Sequence, residues 1–509
     1  MNKKHIAIAL IIIIIAIIAI FAIFSSNSSS SSSMDATGAD GRLVVDGESI
    51  SADNGDYSTN LSNTNTVLVQ NGGQLSLTNS KISKTGSSDS SSSNGDSAQS
   101  SDAGQSGSQP PDMPSDSGSG DDGASPENSG ASGGAAPENS GASGGASPEN
   151  GGGSNTEDSE FYGTNAAILT LFDSVTNISD CKIQTDANGA NAIFATNNDS
   201  SHSGATTNVK NVEIQTYQDK SRGLDATYGA TIIADNVKIN TRGGSCAALA
   251  TDRGEGTVNA SNCELNTGVD EGSGAGSPCI YSTGAISASK CTGTANGAQI
   301  ACIEGKNSVN LDECDMTCAA KGNRESNGEY VDLGGIFIYQ SMSGDAEEGT
   351  ALFNSEKSTL SIAEDSDYYE TAPMFHITNT KANITISDTT LEFGSDVLLN
   401  ASGQDQWGNS GSNGGDVQFT ASKEDLSGNI IVDSISSLKI KLEESKYSGA
   451  INPSDSYGNT TVSIGEGSEW TLTGDSHISS LDNQGTINYG EYTLYVNGKA
   501  YTASNPYNA

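Results

Sequence analysis

Basic residues, histidines and aromatics are all scarce in this chain. Lys and Arg total 23 against 63 Asp and Glu, a net charge of −40. That balance excludes nucleic acid as a partner, because phosphates demand Lys and Arg. It also disfavours anionic membrane surfaces, and polyanionic glycans such as pectate unless Ca²⁺ bridges them. The four histidines, His5, His202, His376 and His477, are too few and too scattered for a zinc site. Aromatics make up 6% of the chain and hydrophobic residues 34%, less than a compact enzyme core would hold. A coil with a thin interior of small aliphatic residues needs no more.

What the chain has is a repeated octet: apolar, any, apolar, any, any, small, any, apolar. Leu75-x-Leu77-x-x-Ser80-x-Ile82 is one copy. Ile232-x-Ala234-x-x-Val237-x-Ile239 and Val258-x-Ala260-x-x-Cys263-x-Leu265 are the clearest. Others start at Thr176, Thr207, Ile286, Val309, Phe353 and Ile384, with a degraded copy read as Val417-x-Phe419-x-x-Ser422. Gly293 stands where the Ile286 copy should end on an apolar residue. Alternation at period two puts every second side chain on one face of a strand. The doubled "any" breaks the alternation by one residue. Each copy therefore reads as two short strands joined at a bend, with one buried face and a small residue at a crowded corner.

Starts at 176, 207, 232, 258, 286 and 309 recur every two dozen residues or so. A period in that range marks a solenoid, whose turns bury their apolar faces only by stacking. The fold expected is all-β: a right-handed parallel β-helix over residues 61–445, then terminal turns and a β-hairpin cap over 446–509. The hairpin is read from Asn497-Gly498 between alternating runs. Between Leu75 and Thr176 the period fails, and residues 86–160 there are rich in Ser, Gly, Asp and Pro. Removing them restores the interval. This low-complexity stretch, which carries an 11-residue repeat from Gly123, reads as a disordered loop spliced into one turn.

Residues 6–24 are the one long apolar run, preceded by Lys3 and Lys4 and followed by acidic sequence. They read as a transmembrane signal anchor, with residues 1–5 as a short cytoplasmic tail and the rest outside the cell. Residues 25–60, with the serine run Ser28–Ser33, read as a flexible polar spacer.

Two loop motifs are richest in chemistry. Arg222-Gly-Leu-Asp225-Ala-Thr-Tyr228 lies in one turn, and Asp252-Arg253-Gly-Glu255 in the next. Stacked, they bring Arg222, Asp225, Tyr228, Asp252, Arg253 and Glu255 onto adjacent loops. The patch reads either as a sugar-binding or catalytic site or as a ladder of surface ion pairs tying turns together. No cofactor is implied; Ca²⁺ is the ion such carboxylates would draw.

The template, these two stretches, Tyr339–Gly349 and Trp470-Thr-Leu-Thr-Gly-Asp475 together resemble the secreted, pectin-lyase-like right-handed β-helix proteins of bacteria and archaea, often called adhesin-like. The resemblance covers about residues 61–480. It implies a cell-surface protein, held to the membrane by its amino-terminal helix, that binds glycans or another cell's surface without catalysis. Polygalacturonase-like hydrolases on this fold carry Gly-His-Gly and Arg-Ile-Lys, both missing here, and the sole Asp-Asp pair, Asp121-Asp122, lies in the low-complexity loop. A polysaccharide lyase or hydrolase is the alternative, and a structural surface-layer component a third.

All eight cysteines fall between residues 181 and 318. Cys263, Cys291 and Cys314 occupy the corner position of successive turns. Cys279 and Cys302 each precede a corner cysteine by 12 residues. Stacked corners about 4.8 Å apart allow either a column of buried thiols or a disulfide.

Overall fold

The computed structural model describes residues 41–88, 159–269, 276–322, 324–455 and 457–507. The expected cytoplasmic tail, the anchor at 6–24, most of the 25–60 spacer and residues 89–158 of the spliced loop lie outside them. Among the described residues no helix is long and apolar enough to cross a membrane.

The architecture is all-β and built from long parallel sheets. One sheet runs through twelve turns, from Leu43–Asp46 to Asn429–Val432. The octets supply the other two walls. Their first legs pair turn on turn, as Thr231–Thr241 does with Thr206–Thr216 and then Thr257–Ser261. Their second legs pair in the same way, Glu264–Thr267 with Thr292–Ala295 and then Asp315–Cys318. Every apolar template position tested by burial faces inward; Leu75, Leu77, Ile82, Val258 and Leu265 are all at most 1% exposed. Gly293 is filled from the next turn: a Cβ there would sit 2.5 Å from Met316 Cε.

The bend has a defined conformation. The second "any" residue sits in the left-handed region in turn after turn: Asn79, Asp180, Asn211, Asn236 and Asn262 all have φ between 49 and 56°. Asn and Asp tolerate this region best among residues with a Cβ. The corner residue that follows does more than fit. Where it is Ser, Cys or Glu rather than Val, its side chain accepts a hydrogen bond from the backbone N–H of the preceding turn's corner. Ser80 Oγ accepts from Gly55 N (3.0 Å), Cys181 Sγ from Ser80 N (3.4 Å), and Ser358 Oγ from Cys314 N (3.0 Å). Each bond satisfies a buried donor where the bend interrupts the strand ladder.

This acceptor column corrects the degraded copy. Phe419 pairs with Ile384 and Ala421 with Ile386, so the octet is Phe419-x-Ala421-x-x-Glu424-x-Leu426. Lys423 takes the left-handed φ of 59°, and Glu424 Oε1 accepts from Thr389 N at 2.9 Å. A search for a small corner residue stops at Ser422 and misses an acid doing the acceptor's task. The coil also begins earlier than expected. Leu43–Thr59, assigned to the spacer, form a complete first turn whose octet is Ile50-x-Ala52-x-x-Gly55-x-Tyr57.

Across the insertion the turns stack without a break: Leu68 pairs with Leu169, Leu77 with Ile178 and Ile82 with Ile183. The two ends of the splice meet at Gly189, where a Cβ would lie 2.4 Å from Ser88 Oγ and 2.7 Å from Ser159 Oγ. Buried Lys84 donates to Leu61 O (2.8 Å) and to Gly86 O, and Asn165 Nδ2 also donates to Gly86 O (2.9 Å). Burial holds the Lys84 amine down at about 8. At the other end, Leu494–Val496 pairs in parallel with Ser476–Ile478 and folds back antiparallel on Lys499–Tyr501. Asn497 and Gly498 turn that hairpin, both with positive φ.

Candidate functional site

The two motifs do stack. Asp225 lies in Leu224–Thr227 and pairs in register with Ala250 of Leu249–Thr251, one turn along the twelve-strand sheet. Asp225 points away from the coil interior, as does Asp252, just beyond the neighbouring strand. Arg222 closes the space between them. Its Nη1 lies 2.9 Å from Asp225 Oδ2 and its Nη2 2.8 Å from Asp252 Oδ2. All three are buried, with Asp225 fully inaccessible. Burial pushes both carboxyls up despite the guanidinium, Asp252 to about 7. Burial also disfavours the Arg222 cation, but Asp225 and Asp252 outweigh it and hold the charge in place.

Arg253, Tyr228 and Glu255 sit around this triad rather than in it. The Arg253 guanidinium lies 3.8 Å above the Phe161 ring, and its Nη2 pairs with Asp345 Oδ1 at 2.6 Å. Tyr228 stacks on Tyr162 with centroids 5.5 Å apart, and burial raises its phenol. Glu255 pairs with Lys306 at 2.8 Å, and Lys306 also with Glu347 at 2.5 Å. The Ser341–Gly349 loop thus reaches back over two turns to cover the patch. The six residues are brought onto one face: Arg222, Asp225 and Asp252 form a buried triad, Arg253 and Glu255 pair with Asp345 and Lys306 around it, and Tyr228 stacks at its edge.

A second constellation on the same outer face was not foreseen. Glu304, 2% exposed, accepts hydrogen bonds from Tyr281 Oη (2.8 Å), Tyr339 Oη (3.0 Å) and Ser341 Oγ. Burial raises its carboxyl, and the three hydroxyls pull the other way. Phe337 stacks on Tyr339 beside it, and Trp407 packs tilted on Tyr339, with centroids 4.7 Å apart at each step. Trp407 comes from the Gln404–Asp416 excursion, so this loop too folds onto the sheet. His376 Nδ1 donates to Leu333 O at 2.8 Å, and burial lowers the imidazole to about 4, leaving it neutral. The signal available was the strand Ala301–Glu304, an acid inside an otherwise apolar run.

All eight cysteines are buried free thiols. Cys263, Cys291 and Cys314 form the expected corner column, with Cys263 N donating to Cys291 Sγ at 3.4 Å. Thiol–thiol hydrogen bonding lowers Cys263 and raises Cys291 to about 12. Cys279 and Cys302 are not equivalent, as equal spacing suggested. Cys279 faces the interior and donates to Leu265 O, whereas Cys302 faces outward beside Phe337. In register Cys302 opposes Tyr281, because the link to the next octet strand is two residues longer in its turn.

Among the described residues no group of three or more His, Cys, Asp or Glu is placed to hold a metal ion. In the patch, Asp225 and Asp252 are paired with Arg222, and Glu255 with Lys306. No protein-family model matches the chain, and no curated protein or solved structure matches it either.

Proposed function

We propose that this chain is an adhesin-like cell-surface protein: a right-handed parallel β-helix, pectin-lyase-like in form, anchored by residues 6–24 with its amino terminus in the cytoplasm. It binds glycans or other cell-surface partners and catalyses nothing. One observation carries the choice of binder over enzyme. Hydrolysis needs two carboxyls flanking a glycosidic bond, and elimination needs a base within reach of a ring proton. Asp225, Asp252 and Glu304 are all buried, and each is held by arginine or hydroxyl partners.

The lyase or hydrolase reading keeps one supporting feature, the Asp252 carboxyl near 7. A carboxyl with that pKa can exchange protons at neutral pH. The two readings separate in one experiment. The full chain is offered plant and microbial polysaccharides and whole cells, with binding scored alongside reducing ends and unsaturated products. Binding without turnover is expected. Turnover abolished by Asp225→Ala or Asp252→Ala would establish an enzyme. A purely structural surface-layer component would bind no ligand in either format.

A further inference from the structure

The first-leg strands of the octets present a bare outer face. Its outward positions form columns, one residue per turn. One column runs from Ser51 through Ser76, Asn177 and Asn208 to Thr420. The next, two positions earlier, runs from Ser49 through Gln74 and Thr206 to Gln418. Each spans the same eleven turns, and neither contains a charged side chain; Lys439 and Lys441 end both at the twelfth.

At the chain's overall 17% of charged residues, about four charges would fall among these positions by composition alone. The column on the other flank shows the contrast, with Asp53, Lys210, Asp235, Asp312 and Glu356 over the same turns. All stripe positions are exposed or half-buried. They are mostly Ser, Thr, Asn and Gln, interrupted by Val175, Ile233, Ala285 and Leu352. Amides link turn to turn: Asn208 Nδ2 donates to Asn177 Oδ1 at 2.9 Å, and Asn354 Nδ2 to Asn310 Oδ1 at 2.7 Å. Each linked amide keeps a further N–H and lone pair for a ligand.

From this we infer that the stripe is a docking surface for an uncharged polysaccharide laid along the coil. The inference rests on the surface-binder reading and names its ligand class and site. Eleven turns at the strand spacing give a platform about 50 Å long. Its side chains both donate and accept, as sugar hydroxyls do, and its aliphatic interruptions meet the apolar faces of sugar rings. Charge complementarity selects the ligand. A chain of net charge −40 repels anionic glycans. On the stripe it offers neither a cation to hold them nor a carboxylate that a neutral ligand would have to desolvate.

The test is co-sedimentation of the full chain with insoluble uncharged polysaccharides, cellulose, chitin and β-glucan, against pectate and alginate. Thr231→Asp with Ser287→Asp places two charges on the stripe. Ser179→Asp with Ser387→Asp places two on the flanking column. The stripe pair is expected to lose about tenfold or more in affinity for a neutral polysaccharide, and the flanking pair to bind as the parent does. Thr231→Lys should lose binding as well, because neutrality is what matters. Thermal midpoints check that every variant folds.

Equal binding by the stripe pair overturns the inference, as does failure of the parent to bind any neutral polysaccharide. So does self-association of the parent that the stripe pair abolishes, or glycans attached at Asn177, Asn259 or Asn383 in the native protein. Binding of cells or other glycans that survives the stripe pair leaves the surface-binder reading standing and removes only this site. No binding to anything removes both.

Discussion

Two outer faces of the same coil follow opposite rules. On the twelve-strand sheet, outward positions carry buried Asp225, Glu304 and Tyr339 and half-buried Tyr281, and loops from other turns reach over this face. On the octet sheet, two adjacent outward columns carry neutral, mostly small polar side chains over eleven turns, and nothing among the described residues covers them. Backbone geometry is alike in both: parallel strands with alternate residues pointing out. The difference lies in what the connecting loops do. Charge on this wall is buried where a partner meets it, as Arg222 meets Asp225 of its own turn and Asp252 of the next. The covered face thereby locks turns and loops together. The bare face contributes little to stability and is free for a ligand.

The sharpest way to break this contrast is to remove the cation of the covered face. Arg222→Leu leaves two buried carboxyls unpaired and should cost about 3–5 kcal/mol, read as a lowered denaturant midpoint. A change under 1 kcal/mol would mean the triad is not the lock described. Glu304→Leu follows. It strips Tyr281, Tyr339 and Ser341 of a shared acceptor and should cost about 2–3 kcal/mol by the same measurement.

The pH dependence sharpens the contrast next. The folded state raises Asp252 to about 7 and Glu424 to about 7, above the ordinary carboxyl values near 4 of an unfolded chain. Each folded group holds its proton where the unfolded chain has lost it. Their contribution to stability is therefore full below about pH 4 and is lost as pH rises through 7. Asp252→Asn should flatten that decline by about 1–2 kcal/mol between pH 5 and 8. An unchanged slope would show that Arg222 keeps Asp252 ionised in the fold.

The octets made the coil legible because burial imposes a period that composition cannot hide. The turns on either side of residues 86–160 stay in phase for the same reason: Leu77 must stack on Ile178 to bury either. The pairing of Arg222 with Asp225 and Asp252 was legible as adjacency, since two motifs one period apart must stack. Their burial was not, because it depends on Asp345 and Phe161, which are distant in sequence and sit on loops without a period. Glu304 was hidden likewise; its hydroxyl partners come from Tyr281 and from beyond residue 338. The corner residue was half read. Small size was visible, whereas the acceptor task shared by Cys181, Ser358 and Glu424 shows only in the fold.

That corner column ranks between the two faces. Ser358→Ala removes the acceptor for the buried Cys314 N–H and should cost about 1–2 kcal/mol, with Ser358→Cys restoring part of it as the natural cysteines do.

The smallest effect is expected on the bare face, and its smallness is the point. Thr231→Asp and Ser287→Asp change side chains that point to solvent from strands whose inward neighbours, Ile232 and Ile286, stay fully buried. Surface changes away from packed or paired groups shift stability by less than about 0.5 kcal/mol. Two aspartates on separate turns add only screened repulsion in a chain already at −40. The denaturant midpoint of the doubly substituted chain should match the parent's. If it fell by more than 1 kcal/mol, neutrality of the stripe would be a requirement of stacking the strands. The charge-free columns would then have the same structural origin as the covered face, and the contrast between the two walls would vanish.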